Sequence, residues 1–120
     1  MKTVSVFIPS ANTSFVYRIG ENARDNFAVI DSSESAKDVW FHSDTESSCH
    51  VLGVVPEEVV MDKKVRYHFL KQGALLCKIH TPKLKKCKIV AIVHTEIGNV
   101  KKTPVDGQVV LEGASKIICV

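Results

Sequence analysis

At 120 residues and 45% apolar composition, the chain is long enough to bury one ordinary core without disulfides or metal, and one domain spanning residues 1–120 is the default reading. No run approaches the roughly 18 apolar residues that a membrane span needs, and Met1 to Val6 are too short and too alternating for a signal peptide, so an intracellular protein is expected, cytoplasmic or else nuclear. The net charge of +3 conceals a division. Between Gly20 and Asp62 ten acidic residues outnumber Arg24 and Lys37, whereas Lys63 to Thr95 carries nine basic residues and no acidic one.

Taken in order, Val4, Val6 and Ile8 alternate with Thr3, Ser5 and Phe7, and Pro9 to Asn12 supplies a turn before Phe15 to Ile19, which predicts a hairpin. Gly20 to Asn26 breaks the period, and a short helix near 23–34 follows, shortened by Ser32-Ser33. Asp38 to His42 and Cys49 to Val55 are β-branched and aromatic and read as central strands, the second closed by Pro56. From about Glu57, whose acidic pair suits the positive end of a helix, the period turns helical as far as residue 80. Val65, Phe69, Leu76 and Ile79 share one face. Gly73 inside that helix costs about 1 kcal/mol relative to alanine, which predicts close approach of another backbone. Lys88 to His94 reads as a buried strand, and Gln108 to Leu111 with Lys116 to Val120 as a final hairpin. The expectation is an α+β domain: a mixed or antiparallel sheet of six to seven strands packed on one principal helix at about 57–80.

Lys63, Lys64, Arg66, Lys71, Lys78, Lys83, Lys85, Lys86 and Lys88, extended by Lys101 and Lys102, are the usual footprint of a phosphate-bearing partner, because each lysine that neutralises a phosphate releases counterions. The competing reading is a solvated face paired with the acidic half of the same domain. Cys49, Cys77, Cys87 and Cys119 are scattered and read as reduced thiols. Cys77, His80 and Cys87 with Cys49-His50 form a zinc alternative, but structural zinc usually shows two tightly spaced ligand pairs and here there is at most one, so neither metal nor cofactor is expected.

The stretch Asp38-Val39-Trp40-Phe41-His42, followed by Ser47-Ser48-Cys49-His50-Val51, concentrates the sole tryptophan, two histidines and a cysteine. On a strand Trp40 and His42 share one face and Phe41 takes the other; His50 and Leu52 likewise oppose Cys49 and Val51. His42 meets His50 only across a seven-residue loop; slipped by one residue, it meets Cys49. Two readings follow: a ring-and-imidazole platform for a base or phosphate, with the basic segment tracking the backbone, or core aromatics with hydrogen-bonded imidazoles. A Cys49–His50 nucleophile pair is disfavoured, since adjacent strand residues point to opposite faces, and no catalysis is expected.

With these elements in place, Gly20-Glu21-Asn22-Ala23-Arg24-Asp25-Asn26, Asp38 to His42, Ser48-Cys49-His50-Val51, Val100-Lys101-Lys102 and Gly107-Gln108-Val109 resemble, in order and spacing, the successive signatures of the NFACT RNA-binding domain. The likeness runs from about Tyr17 to Val120 and is strongest to the eukaryotic branch in which a long charged helix follows the domain. Cys49 stands where Ser or Ala is usual. The resemblance implies a non-enzymatic nucleic-acid-binding module of mixed α/β architecture, with tRNA or ribosomal RNA as partner, a connection to ribosome-associated quality control, and Asn22, Arg24, Asn26, Trp40, His42 and His50 as motif positions near the ligand. DNA is the runner-up ligand. The rival is a protein-interaction adaptor that docks a basic partner on the acidic half, residues 21–62.

Overall fold

The computed structural model of the protein describes all 120 residues and opens with the hairpin that the alternation of Val4, Val6 and Ile8 predicts. Strands β1 (Lys2–Ile8) and β2 (Thr13–Gly20) pair antiparallel, with Lys2 opposite Ile19 and Ile8 opposite Thr13. A single 3-10 turn at Pro9–Ala11 and Asn12 in the left-handed region close the loop. Helix α1 (Ala23–Asp31) follows, then the short strands β3 (Val39–Ser43) and β4 (His50–Gly53), the long helix α2 (Lys63–Ile79) and the single-turn α3 (Pro82–Lys85). The last third holds β5 (Ala91–Glu96), β6 (Val100–Lys102), β7 (Val109–Leu111) and β8 (Lys116–Cys119).

Six strands form one antiparallel sheet in the order β1-β2-β4-β3-β5-β8, and β6 with β7 forms a separate two-stranded sheet. The period of two along the strands divides the core between the faces of the large sheet. Phe15, Tyr17 and Ile19 from β2, Phe41 from β3, Val51 from β4 and Ile92 from β5 cluster with Val65, Phe69, Ala74 and Cys77 of α2. On the opposite face Trp40, Leu52 and Val93 cluster with Val29 of α1, Ile97, and Val100 of the small sheet. The result is an α+β arrangement of three layers: α2, the large sheet, then α1 with the small sheet.

Four features differ from expectation, each for a physical reason. Helix α2 begins at Lys63, not near Glu57: Pro56 to Met61 form turns, and the Asp62 carboxylate takes the Val65 N–H at 2.8 Å, providing the cap that Glu57-Glu58 lacks. Replacing Asp62 with alanine is expected to cost about 1 kcal/mol in a denaturant melt; no change in midpoint would show that water caps the helix equally well. The final hairpin does not form. Val109 and Leu111 pack with the α1-side core whereas Ile118 and Val120 pack with the α2-side core, so the two segments belong to different layers. They pair with β6 and β5 respectively. The strand expected over Lys88 to His94 starts at Ala91, and Ile89 is 72% exposed, although Val90 and Val120 exchange backbone hydrogen bonds of 2.7 and 3.0 Å. Finally, the approach at Gly73 comes from a side chain: a Cβ built there would overlap the end of the Phe41 ring.

Candidate nucleic-acid interface

The pairing of Trp40 with Leu52 and of Phe41 with Val51 sets the register of β3 against β4 and carries His42 opposite His50, the seven-residue-loop alternative. Trp40, His42 and His50 meet on the α1 side of the sheet. The His42 ring lies parallel to the Trp40 ring at 5.5 Å between centroids and edge-on to His50 at 5.0 Å. The Trp40 indole N–H donates to His50 Nδ1 at 3.1 Å. With Trp40 2% exposed and stacked on His42, its ring orients the imidazoles and offers no face on which a base could stack.

These hydrogen bonds assign the protons of the two rings. His50 Nδ1 accepts from Trp40, so in the neutral ring its proton sits on Nε2. His42 Nδ1 lies 2.6 Å from the Ser43 carbonyl, which accepts only, so Nδ1 carries the proton and Nε2 the lone pair. Both rings are held neutral. Burial lowers the His50 pKa to about 3, with the neighbouring His42 adding to the effect. Burial also lowers that of His42, helped by Lys83 and opposed by the Ser43 carbonyl.

The G-x-N-A-x-x-N segment builds one wall. A Cβ on Gly20 would stand 2.8 Å from the Asn26 backbone nitrogen and side-chain oxygen, so glycine lets α1 sit tightly on β2. The Asn22 side chain caps α1 by accepting from the Asp25 N–H at 2.9 Å, and Asn26 Oδ1 accepts from the His50 backbone N–H at 3.1 Å. A second wall comes from the end of α2. The Thr81 hydroxyl donates to the Cys77 carbonyl at 2.9 Å and accepts from the Cys49 N–H at 3.1 Å, and His80 Nδ1 lies 3.9 Å from the Glu21 carboxylate. The third wall is the turn Asp106-Gly107-Gln108. Gly107 takes a positive φ of 79°, and a Cβ there would come within 2.9 Å of Ala23 Cα, so this turn docks directly on the first residue of α1.

Together these walls enclose a cleft of about 490 Å³ lined by residues of every wall together with His42, His50, Ser47, Ser48 and Lys83. A neighbouring cleft of about 530 Å³ lies beyond the same two histidines, between Asp44, Thr45 and Glu46 on one side and Val109 and Leu111 on the other. Ser43, Glu46 and Ser48 hold the intervening loop through hydrogen bonds of 3.0 and 3.1 Å. Carboxylates dominate the charged lining. Glu21 and Asp106 face the first cleft and Asp44 and Glu46 the second, against the single ammonium of Lys83, itself 3.4 Å from Glu46.

The basic residues are spread over several parts of the surface. Lys64 and Lys71 flank a depression beside Phe7 to Ser10, while Arg66 lies elsewhere on α2 near His94 and Lys116. Lys78 is tied into the fold, donating to the carbonyls of Lys88 and Val120 at 3.3 and 3.1 Å. Lys102 pairs with Asp31 at 2.7 Å and sits over the Phe27 ring. Lys63, Lys85, Lys86, Lys88 and Lys101 are exposed, as is Arg24 on α1. Of the motif positions, Asn22, Asn26, His42 and His50 line the first cleft, Trp40 lines only the neighbouring one, and Arg24 lines neither. His80, Thr81 and Gln108 join them without being expected as contacts; Gln108 lies within the Gly107-Gln108-Val109 signature, His80 enters the sequence reading only as a zinc ligand, and Thr81 carries no signal of its own.

The zinc alternative is not assembled. Cys49 and Cys77 are buried, each sulfur donating to the other's carbonyl at 3.4 and 3.5 Å, whereas Cys87 is exposed, and no three His, Cys, Asp or Glu side chains converge as ligands.

No curated protein matches the chain. Among solved structures, the C-terminal part of the fibronectin/fibrinogen-binding protein of Streptococcus suis superposes with a TM-score of 0.71 at 18% identity, over 88% of this chain. The chain spans only 40% of that one, and the likeness is one of fold. The model of the NFACT protein RNA binding domain matches residues 3–118, a span that includes every segment walling the cleft, and the chain belongs to that family.

Proposed function

We propose that the chain binds structured RNA, tRNA or ribosomal RNA, with an unpaired nucleotide entering the imidazole cleft and phosphates held by lysines around it. The observation that carries this reading is convergence: motifs separated by up to 85 residues in the chain, from Asn22 and Asn26 through His42 and His50 to Gly107, wall a single cleft in a member of an RNA-binding family. Lys83 stands at its margin, and Lys85 and Lys86 are exposed one turn further on. Such a ligand fits a role in translation or in the handling of stalled ribosomes. Binding without turnover is the expected behaviour, with RNA recovered intact.

Salt provides the test. With about four phosphate contacts, affinity for a tRNA is expected to fall on the order of 10²-fold between 50 and 200 mM salt in a fluorescence-anisotropy titration. Lys83→Glu/Lys85→Glu/Lys86→Glu is expected to weaken binding at least tenfold and to flatten that dependence. A flat response in the parent protein, or undiminished affinity in the triple variant, defeats the reading. Parallel titration with duplex DNA of equal length separates RNA from the runner-up ligand.

A further inference from the structure

The imidazole cleft is a poor receptacle for phosphate. Glu21 and Asp106 contribute two negative charges to its lining and Lys83 one positive charge, and the adjoining cleft adds Asp44 and Glu46. The two histidines, being neutral, do not redress the balance. An anion entering here meets more negative than positive charge in the lining, an excess that Lys2, 3.9 Å from Glu21, offsets only at the rim.

What the cleft does offer is a hydrogen-bonding pattern. His50 is 1% exposed, yet no group of the protein takes its Nε2, which carries a proton because Trp40 occupies Nδ1. Since no buried side-chain nitrogen of the chain lacks a partner, this N–H opens onto the cleft. His42 lies edge-on to it and presents the opposite polarity, an acceptor at Nε2. A fixed donor therefore sits beside a fixed acceptor, with carboxylates at the rim that accept only. That set is complementary to the edge of a nucleobase on which a ring nitrogen or carbonyl acceptor adjoins an amino donor.

Building on the RNA-binding reading above, we propose that the cleft selects an unpaired nucleobase bearing an exocyclic amino group, adenine, cytosine or guanine, over uracil, while phosphates stay outside it. Uracil offers one ring N–H between two carbonyls. Its N3–H and a flanking carbonyl satisfy the two imidazoles as well, so the discrimination rests on the carboxylates of the lining, Glu21 and Asp106, which take a further proton from an exocyclic amino group and find none on uracil. A site with fixed polar groups left unpaired by the wrong ligand discriminates by about 1–3 kcal/mol per position, a preference of roughly 5- to 150-fold.

The test compares single-stranded RNA heptamers, one all uridine and three carrying a single central A, C or G, at fixed salt. Each amino-bearing heptamer is expected to bind at least fivefold tighter than the all-uridine one, and to shift the ring resonances of His42 and His50 in NMR spectra. In Glu21→Ala/Asp106→Ala, both exposed positions, the preference is expected to fall to about twofold or less through weaker binding of the amino-bearing heptamers. Equal affinity for all four heptamers overturns the proposal and leaves RNA binding intact. A uniform gain by all four in the double variant also overturns it, because the carboxylates would then act only by repelling the backbone. Tighter binding of a lysine-rich peptide than of any heptamer overturns it in favour of a protein ligand. Failure of the parent protein to bind any heptamer or a tRNA removes both readings together.

Discussion

Gly73→Ala is expected to destabilise the protein by about 2 kcal/mol, although the same change in an unobstructed helix stabilises by about 1 kcal/mol. The position is buried in the middle of α2, and the space a methyl group would need is filled by the end of the Phe41 ring. Phe41 is itself fully buried at the centre of the large sheet, tilted against His94, so the ring can yield only by moving its neighbours. Overpacking of this kind costs about 1–3 kcal/mol beyond the lost propensity gain. Denaturant melts check the value, and a double-mutant cycle checks the cause: Phe41→Leu, destabilising alone, should cost much less in the Gly73→Ala background. If alanine at 73 stabilises the protein, or the two changes simply add, the ring is not what requires glycine here.

Acid is expected to unfold the protein well above the range in which its carboxylates protonate fully. His42, His50 and His94 all have pKa values lowered by burial; for His94, Arg66 and then Lys116 add to the effect. Each is neutral when folded and takes up a proton in the unfolded chain below about pH 6.5. The unfolded state then binds more protons, and stability rises with pH through that interval. The contribution is complete above about pH 6.5 and is lost as pH falls toward the folded values, which for His50 means down to about 3. One such proton is worth about 1.4 kcal/mol per pH unit, so His50 alone removes roughly 4 kcal/mol, a large share of the 5–15 kcal/mol typical of a domain. Urea titrations followed by Trp40 fluorescence between pH 7 and 4 should show the midpoint falling steadily from about pH 6.5. A flat midpoint over that interval would mean that His50 is solvated, with its indole partner displaced.

Much of the arrangement was readable from local pattern. Alternation in β1 and β2, the β-branched and aromatic runs around Trp40 and Val51, and the helical period from Val65 to Cys77 rest on short-range physics, and the elements they predict are present. The pairing of the last strands was not readable, because Val109 and Ile118 look alike as sequence and differ only in which face of the sheet receives them. The same holds for the cleft. Its floor lies within one motif, but His80, Thr81 and Gln108 reach it through the packing of α2 and the docking of the 106–108 turn on Ala23. The acidic lining, by contrast, was present in the charge map: Glu21, Asp44 and Glu46 belong to the same acidic half as Trp40, His42 and His50. Of the eleven basic residues read as the footprint of a phosphate-bearing partner, only Lys83 lines the cleft.

The place of β3 in the large sheet bears on how the protein emerges from the ribosome. β3 lies between β4, its successor in the chain, and β5, which follows only after the whole of α2 and α3. During vectorial synthesis the nascent sheet therefore presents one bare edge of β3, with Trp40 and Phe41 on its two faces, until Glu96 has left the exit tunnel. An unpaired central strand is a template for wrong partners. The wall at Gly107 arrives later still, so ligand capture must wait for it, and a chain arrested near residue 90 would be both inert and prone to aggregate.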